Sequence, residues 1–479
     1  MNELLDWLKE SQPLVYKQLQ TIEEQPLDTS IRINLLKVDP HTAMPDWARR
    51  YGWKYDGVPY CPSGFWLREC AAAPSATLEH RLGCYYIQEA ASMLPAELFD
   101  FEALEHPLML DMASSPGGKS IHLADRSRDQ GFLLANDASR SRLPALRMVL
   151  QNWGLIQQAV TCQPGETLAV SCADVFDVVL LDAPCSMQGL RVSASHKTRA
   201  ITAGEIEELA ARQVHLLESA LRAAKPGGQL VYSTCTLTPQ ENEGVLDAVL
   251  RKFAGLVSLQ DISRRLPKPA PGLSSFRDHA YLAEMNRALR LWPHLFGTAG
   301  FFAAKLIKTD QLPPASFSSR APAVRSQNLR VPAQSEIRAL LASLQDQYGF
   351  DLAALMRRQA LQIVEINGNL TLVSSLLLEK FNHLAWLSAG LPLGKALPQG
   401  WQPSHEFVSR FGAQFSNGIF ILEEKYLPAW LRGEDIRGLS ALVHQRGHIV
   451  VVRDAGGRNL GRGKLLADRL KNMLPTRIF

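Results

Sequence analysis

The chain is poor in paired cysteines. Its seven, Cys61, Cys70, Cys84, Cys162, Cys172, Cys185 and Cys235, include no CxxC pair and no Cys/His group at zinc-finger spacing, so no metal site is expected. An odd number of thiols spread over 479 residues also argues against a disulfide framework and for a reducing compartment. No apolar run approaches the roughly 20 residues that a transmembrane helix needs. The opening "MNELLDWLKESQPLVYKQL" has no charged region leading into an apolar one, so it is not a signal peptide. A soluble cytoplasmic chain with no membrane partner is expected. Nor does one sign of charge dominate: a net +4 permits a polyanionic partner without requiring one. With 46% hydrophobic and 20% charged residues the composition is globular, and the length exceeds what one core supports, so several domains are expected.

What is present is a regular alternation. From 107 to 308 the apolar runs "PLMLDM", "GFLLAND", "VFDVVLLDAP", "GGQLVYSTC" and "GFFAAKLIK" read as strands. Helical stretches fall between them, near 118–127, 139–153, 203–224 and 238–253. Such alternation predicts an α/β fold, a mostly parallel, doubly wound, Rossmann-like sheet with helices on both faces. Ligands then sit beyond the carboxyl ends of the strands. Ahead of it, residues 1–75 mix a helical start with the strand "TSIRINLLKV" and read as a separate α+β segment. Behind it, 309–335 is rich in Pro and Ser and carries Arg320, Arg325 and Arg330, which reads as a linker. The expected domains are therefore 1–75, 76–308, 336–395 and 396–479, the last two an α+β or β extension. Arg446 to Arg477 hold eight Lys/Arg against Asp454 and Asp468. A solvated face is the ordinary reading; a basic closing module beside a cofactor-binding core is better read as nucleic-acid contact.

"LMLDMASSPGGKS" places Asp111 at a strand end, before a Pro-Gly-Gly turn and a helix. Glycines there let the backbone approach a ligand, and a helix N-terminus favours negative charge. Two chemistries compete. Ala113-x4-Gly118-Lys119-Ser120 meets a relaxed phosphate-loop pattern, with "VVLLD" as the acidic strand of an ATPase. Against that, Pro116 removes an N–H from a loop that must cradle phosphate with N–H groups. The other reading is S-adenosylmethionine, with Asp137 ending the next strand where a carboxylate reaches ribose hydroxyls. Taken alone, Asp137 could equally be a helix N-terminal acid.

Cys185 and Cys235 each follow the carboxyl end of a predicted parallel strand. A buried structural thiol is the commonest fate of a cysteine, but a nucleophilic thiol needs the exposed, helix-N-terminal setting that Cys235 occupies. One chemical problem fits. Carbon 5 of a pyrimidine accepts a methyl group once a thiolate has added to carbon 6; a base then removes the carbon 5 proton. A neighbouring acid such as Asp182 would offset charge on the ring.

These segments carry a resemblance. "DMASSPGGK", "NDASRSRL", "LLDAPCSMQG", "STCTLTPQENE" and "GFFAAKL" resemble, in order, the motifs of the RNA (cytosine-5)-methyltransferases, and the paired DAPCS and STCT motifs are highly specific to them. The likeness covers roughly 30–308, including Arg32, Asn34, Gln88, Glu89 and Ser92. The closing "LGRGKLLADRLKNMLPTRIF" looks like the PUA-like extension of the bacterial members acting on 16S rRNA. The resemblance implies a class I methyltransferase fold and S-adenosylmethionine as cofactor. It implies RNA (16S rRNA or the small ribosomal subunit) as partner, and a monomer is expected. It casts Cys235 as nucleophile, Cys185 as the residue assisting elimination, Asp182 on the cytosine edge and Lys119 near the reacting centre. Ala113, Ser114, Ser115, Pro116, Gly117, Gly118, Lys119, Asp137 and Asp182 would line the cofactor site. Three departures stand out: Met187 where glycine is usual, Ser114 where alanine is usual, and Gln163/Pro164 where an acid near the adenine is usual, with Glu166, Asp174 or main-chain groups as substitutes. The alternatives are a tRNA methyltransferase, a phosphate-loop ATPase in ribosome assembly, and an RNA-binding assembly factor without activity.

Overall fold

The alternation at Ile31 and Ile33 becomes β1 (Thr29–Ile33), which with β2 (Trp53–Val58), β3 (Cys61–Cys70) and β4 (Tyr85–Ile87) forms an antiparallel sheet ordered β2-β3-β1-β4. The computed structural model describes residues 2–23, 26–189, 201–313, 328–397, 400–438 and 447–475. Ile31 and Ile33 pack with Met44, Trp47 and Trp53 on one face of β1. The other face turns Arg32, also fully buried, toward the next domain. Its guanidinium pairs with Asp125, donates to Gly118 O (3.2 Å) and Gln88 Oε1 (3.0 Å), and lies 4.9 Å over the Trp153 ring. Because β4 pairs with β1, the sheet runs past the boundary expected at residue 75.

The central sheet follows the predicted pattern. β5 (Leu108–Asp111), β6 (Phe132–Asn136), β7 (Gln158–Thr161), β8 (Phe176–Asp182) and β9 (Ala224–Thr234) are parallel, ordered β9-β8-β5-β6-β7. The antiparallel strand Phe301–Lys308 lies beside β9, and β10 (Val257–Gln260) beyond it. Helices on both faces bury the strands on both sides, which is why they read as continuous apolar runs rather than alternating ones. The chain winds outward in opposite directions from β5, to β6 on one side and β8 on the other, so a crevice opens where these strands end. Asp111, Asn136, Asp182 and Thr234 are the last residues of β5, β6, β8 and β9.

The far edge departs from expectation. The strand Trp386–Ala389 pairs antiparallel with β7, Trp386 opposite Thr161 and Ala389 opposite Ala159. Phe381 stacks on Phe132 (4.8 Å between centroids) and Phe176 (5.8 Å), and Ser374 Oγ donates to Gln157 Oε1 at 2.9 Å. Part of the segment expected as a separate 336–395 domain thus belongs to the central sheet and its core. The physical reason is β7 itself, whose outer N–H and C=O groups need partners. A second sheet runs through Leu329–Arg330, Leu361–Ile366, Asn369–Ser374, Leu391–Leu397 and Gly400–Pro403, across the boundary expected at 396. The closing sheet is ordered Ile419–Leu422, Ile449–Asp454, Asn459–Leu465, Arg469–Asn472, Ile436–Arg437, its first pair parallel.

Several closing arginines are used inside the chain. Arg453 donates to Gly412 O (2.6 Å), Arg458 pairs with Asp454 (2.5 Å), Arg462 donates to Pro403 O and Arg469 pairs with Asp435 (3.0 Å). Their sequence density therefore overstates the charge offered to a polyanion. Arg320, Arg325, Arg446 and Arg477, with most of the expected linker, lie outside the described residues. No described helix is long and apolar enough to cross a membrane.

Candidate active site

The two cysteines singled out from sequence meet. Cys185, three residues beyond β8, and Cys235, directly after β9, lie with their sulfurs 3.3 Å apart. Their loops can close on each other because Gly189 has no side chain: a Cβ there would stand 2.9 Å from Gly300 O and 3.0 Å from Cys235 O. Cys235 is exposed and Cys185 half-buried. The Cys185 S–H donating to it holds the Cys235 thiol below its usual range; the Lys119 ammonium adds to this, while burial and the Asp182 charge oppose it. The shared hydrogen bond to Cys235 pushes Cys185 well up, with burial and the Cys235 charge adding. The pair is therefore unequal: the Cys185 thiol is the harder to ionise and the Cys235 thiol the easier.

Beside them Lys119 Nζ donates to Asp182 Oδ2 at 2.8 Å, and Ser233 Oγ donates to Asp182 Oδ1 at 2.8 Å. Burial alone would lower the Lys119 pKa, but Asp182, Cys235 and Asp111 together outweigh it and leave it raised. Lys119 also lies 5.5 Å over the Phe301 ring. Sequence reasoning missed the group beneath this site, Glu241. Fully buried, its carboxylate accepts from Ser186 N (2.9 Å), Ser186 Oγ and Gln213 Nε2 (2.9 Å), while its carbonyl accepts from Tyr232 OH (2.6 Å). It therefore ties the residue after Cys185 to the segment after Cys235. The only sequence signal was an acid inside "TPQENE", which reads equally well as a helix N-terminal residue.

The glycine loop sits across the crevice. Gly117 adopts φ 116°, a conformation open to glycine, and a Cβ on Gly118 would meet the Tyr86 ring at 2.8 Å. Ser114 N donates to Asn136 O (2.8 Å) and Ser115 N to Asp137 Oδ2 (3.1 Å). Asp137 is buried and its other oxygen accepts from Ser139 N at 2.8 Å. Asn136, fully buried, laces three strand ends together: it donates to Met112 O (3.1 Å) and Gln163 O (3.0 Å) and accepts from Thr161 Oγ1 (2.9 Å). Asp111, at the floor, is pushed up to about 7 by burial, with the Ser120 hydroxyl opposing and the Asp182 charge adding. This arrangement disfavours the phosphate-loop reading. The loop has already committed two amide donors to the chain, and the ammonium of Lys119 is held by Asp182.

Neither proposed substitute for the missing acid reaches this crevice. Glu166 pairs with Arg212 at 2.7 Å, and Asp174, which pairs with Lys308, precedes β8 and so lies at the opposite end of the sheet. Gln163 is at the place itself, after β7, and both atoms of its buried side-chain amide lack a hydrogen-bond partner, as does Ser115 Oγ. Unpaired buried polar atoms are costly to a fold, and here they cluster at the ends of β5 and β7. Together with Asp137 they fit a bound group carrying hydrogen-bonding edges, as the adenosine of S-adenosylmethionine does.

The structure also gathers Cys61, Glu97 and His122, a set of donors that sequence spacing could not reveal. Glu97 is engaged there by His122 Nε2 (2.9 Å) and Arg126 Nη1 (2.6 Å), and burial pushes His122 down to about 4. The cluster is a hydrogen-bonded clamp between β3 and the helix Gly118–Arg126.

Two family profiles match the chain: "16S rRNA methyltransferase RsmB/F" over residues 100–307 and "N-terminal domain of 16S rRNA methyltransferase RsmF" over 3–90. The ribosomal RNA small subunit methyltransferase F of Aeromonas salmonicida is 31% identical over 458 residues, covering 95% of this chain and 91% of the relative. That of Aeromonas hydrophila is 33% identical with the same coverage. The chain belongs to the RsmB/F methyltransferase family. Among solved structures, a methyltransferase homologue from Pyrococcus horikoshii is 31% identical with a TM-score of 0.57, covering 63% of this chain and 93% of its own. NSun6 from the same organism shares the fold at 22% identity and a TM-score of 0.54, covering 65% and 99%. Membership makes this chain an S-adenosylmethionine-dependent methyltransferase with the class I fold read from its strand pattern.

Proposed function

We propose that this enzyme methylates carbon 5 of a cytosine in small-subunit ribosomal RNA through a covalent bond between Cys235 and the base. The observation that carries the reading is the pair of sulfurs 3.3 Å apart beside the Lys119–Asp182 pair. Ser115, Gly117, Gly118, Asp137 and Gln163 would hold S-adenosylmethionine, which supplies an electrophilic methyl group when bound. The Cys235 thiolate adds to carbon 6 of the cytosine, forming a C–S bond and moving electron density to carbon 5. Asp182, oriented by Lys119 and Ser233, accepts a hydrogen bond from the amino edge of the base, and the Lys119 ammonium beside it offsets the negative charge that addition places on the ring. Methylation leaves one proton too many on carbon 5. Forming the C–S bond consumes the Cys235 thiolate, one of the charges that kept Cys185 protonated, so Cys185 becomes the easier thiol to ionise when a base is needed. Cys185, half-buried, releases its proton to solvent; its thiolate then takes the carbon 5 proton, which re-forms the carbon 5–carbon 6 double bond and expels the Cys235 thiolate.

Ribosomal RNA is favoured over transfer RNA by the nearly full-length likeness to relatives named for the small ribosomal subunit. The N-terminal sheet and the closing sheet, read as PUA-like, would grip the RNA backbone. Bisulfite sequencing of rRNA and tRNA from a deletion strain tests this: one protected cytosine of 16S rRNA becomes convertible. Loss of protection in tRNA alone would overturn the choice of substrate. The cofactor assignment has its own test. Asp137→Ala removes a charged acceptor from the crevice, and calorimetric affinity for S-adenosylmethionine falls by about tenfold to a hundredfold. Unchanged affinity would remove Asp137 from the cofactor site.

A further inference from the structure

Met187 stands two residues after Cys185 with φ 58°, in the left-handed region. Glycine reaches that conformation without strain, whereas a residue with a Cβ reaches it only at an energetic penalty. Buried packing does not offset that penalty, because the Met187 side chain is 47% exposed, among the few large apolar side chains left on the surface. The backbone conformation itself has a use: it turns the Met187 N–H toward Cys185, where it favours the ionised sulfur. Any residue would provide that N–H, so it explains the turn and not the methionine. What the methionine adds is an unbranched, polarizable thioether arm, exposed and two residues along the chain from Cys185. Such a side chain packs readily against aromatic rings. A base reaching Cys235 has to leave its stack, and proteins that unstack bases in DNA do so by inserting apolar side chains between them, methionine included.

We infer that Met187 enters the RNA stack where the target cytosine leaves it, lowering the cost of exposing that base to Cys235. This rests on the proposed cytosine chemistry, but it concerns how the base is reached and not what happens to it.

The test pairs Met187→Gly with Met187→Leu. Glycine keeps the N–H to Cys185 and relieves the backbone, so the variant melts no lower than the unaltered protein and the cysteine pair stays intact. Two RNAs are compared, one with the target cytosine paired in a helix and one with it in an unpaired, unstacked segment. Met187→Gly lowers kcat/KM on the paired target about tenfold more than on the unpaired one, the equivalent of ~1.4 kcal/mol of unstacking help. Met187→Leu, which keeps an apolar arm, restores most of that difference. A readout independent of activity is the fluorescence of 2-aminopurine placed beside the target. Binding of the unaltered protein raises it, and binding of Met187→Gly does not. Equal losses on both RNAs, or equal fluorescence with both proteins, would overturn the wedge and leave Met187 a neighbour of Cys185 only. Failure of the unaltered enzyme to methylate cytosine in any RNA would overturn the reaction and this inference with it. Failure of the variants to differ would overturn the inference alone.

Discussion

Cys235→Ala abolishes methyl transfer, with incorporation of labelled methyl into RNA falling by at least about a thousandfold. The size of the effect follows from what is lost. Carbon 5 of cytosine is a poor nucleophile until carbon 6 carries a substituent, and no other described group stands where it could add: Cys185 is the protonated partner of the pair, and Lys119 is held on Asp182. Cofactor affinity stays near that of the unaltered enzyme, because no hydrogen bond links Cys235 to the glycine loop among the described residues. A loss of transfer with intact cofactor binding separates a missing nucleophile from a damaged fold. With Cys235 intact, kcat/KM climbs with pH through a pKa lying below the ordinary thiol range, as the lowered Cys235 value requires. Full activity in Cys235→Ala would refute the covalent route.

Cys185→Ala has the opposite phenotype: a protein–RNA adduct that survives denaturing electrophoresis. Without Cys185 the methylated intermediate keeps its carbon 5 proton, and the bond to Cys235 cannot break. The adduct builds up more slowly than the normal reaction turns over, because alanine also removes the S–H that favours the Cys235 thiolate. It requires S-adenosylmethionine, and it vanishes in the variant lacking both cysteines. Multiple turnover in Cys185→Ala with no adduct would assign elimination to another group.

The strand alternation and the two cysteines were legible because both are local signals. Apolar runs declare buried parallel strands, and residues just past such runs must gather at one edge of the sheet. Asp182 and Asp137 came from the same rule, and Lys119 from the family resemblance of its glycine-loop motif. Glu241 did not, because its importance lies in reaching Ser186, 55 residues away in sequence, and nothing in its own neighbourhood says so. Gln163 was read as a missing acid; its unpaired, buried amide became visible only once β7 set it in the crevice. The significance of Met187 needed a dihedral angle. Domain boundaries fared worst, since composition marks a flexible linker but not a return of the chain: β4 closes the first sheet after residue 75, and Trp386–Ala389 comes back to β7 across more than 200 residues.

That returning strand has a consequence for anyone wishing to isolate the catalytic half. An open strand edge is a template for association between molecules, and β7 is shielded from that fate only by residues far downstream. Ending the chain after Lys308 would leave β7 with bare edge groups and uncover Phe132 and Phe176, on which Phe381 now lies. Such a fragment aggregates instead of forming a minimal enzyme. The C-terminal part is thus no detachable accessory: the RNA grip proposed for it and the integrity of the catalytic fold cannot be separated by deletion, and that proposal has to be tested by point substitution.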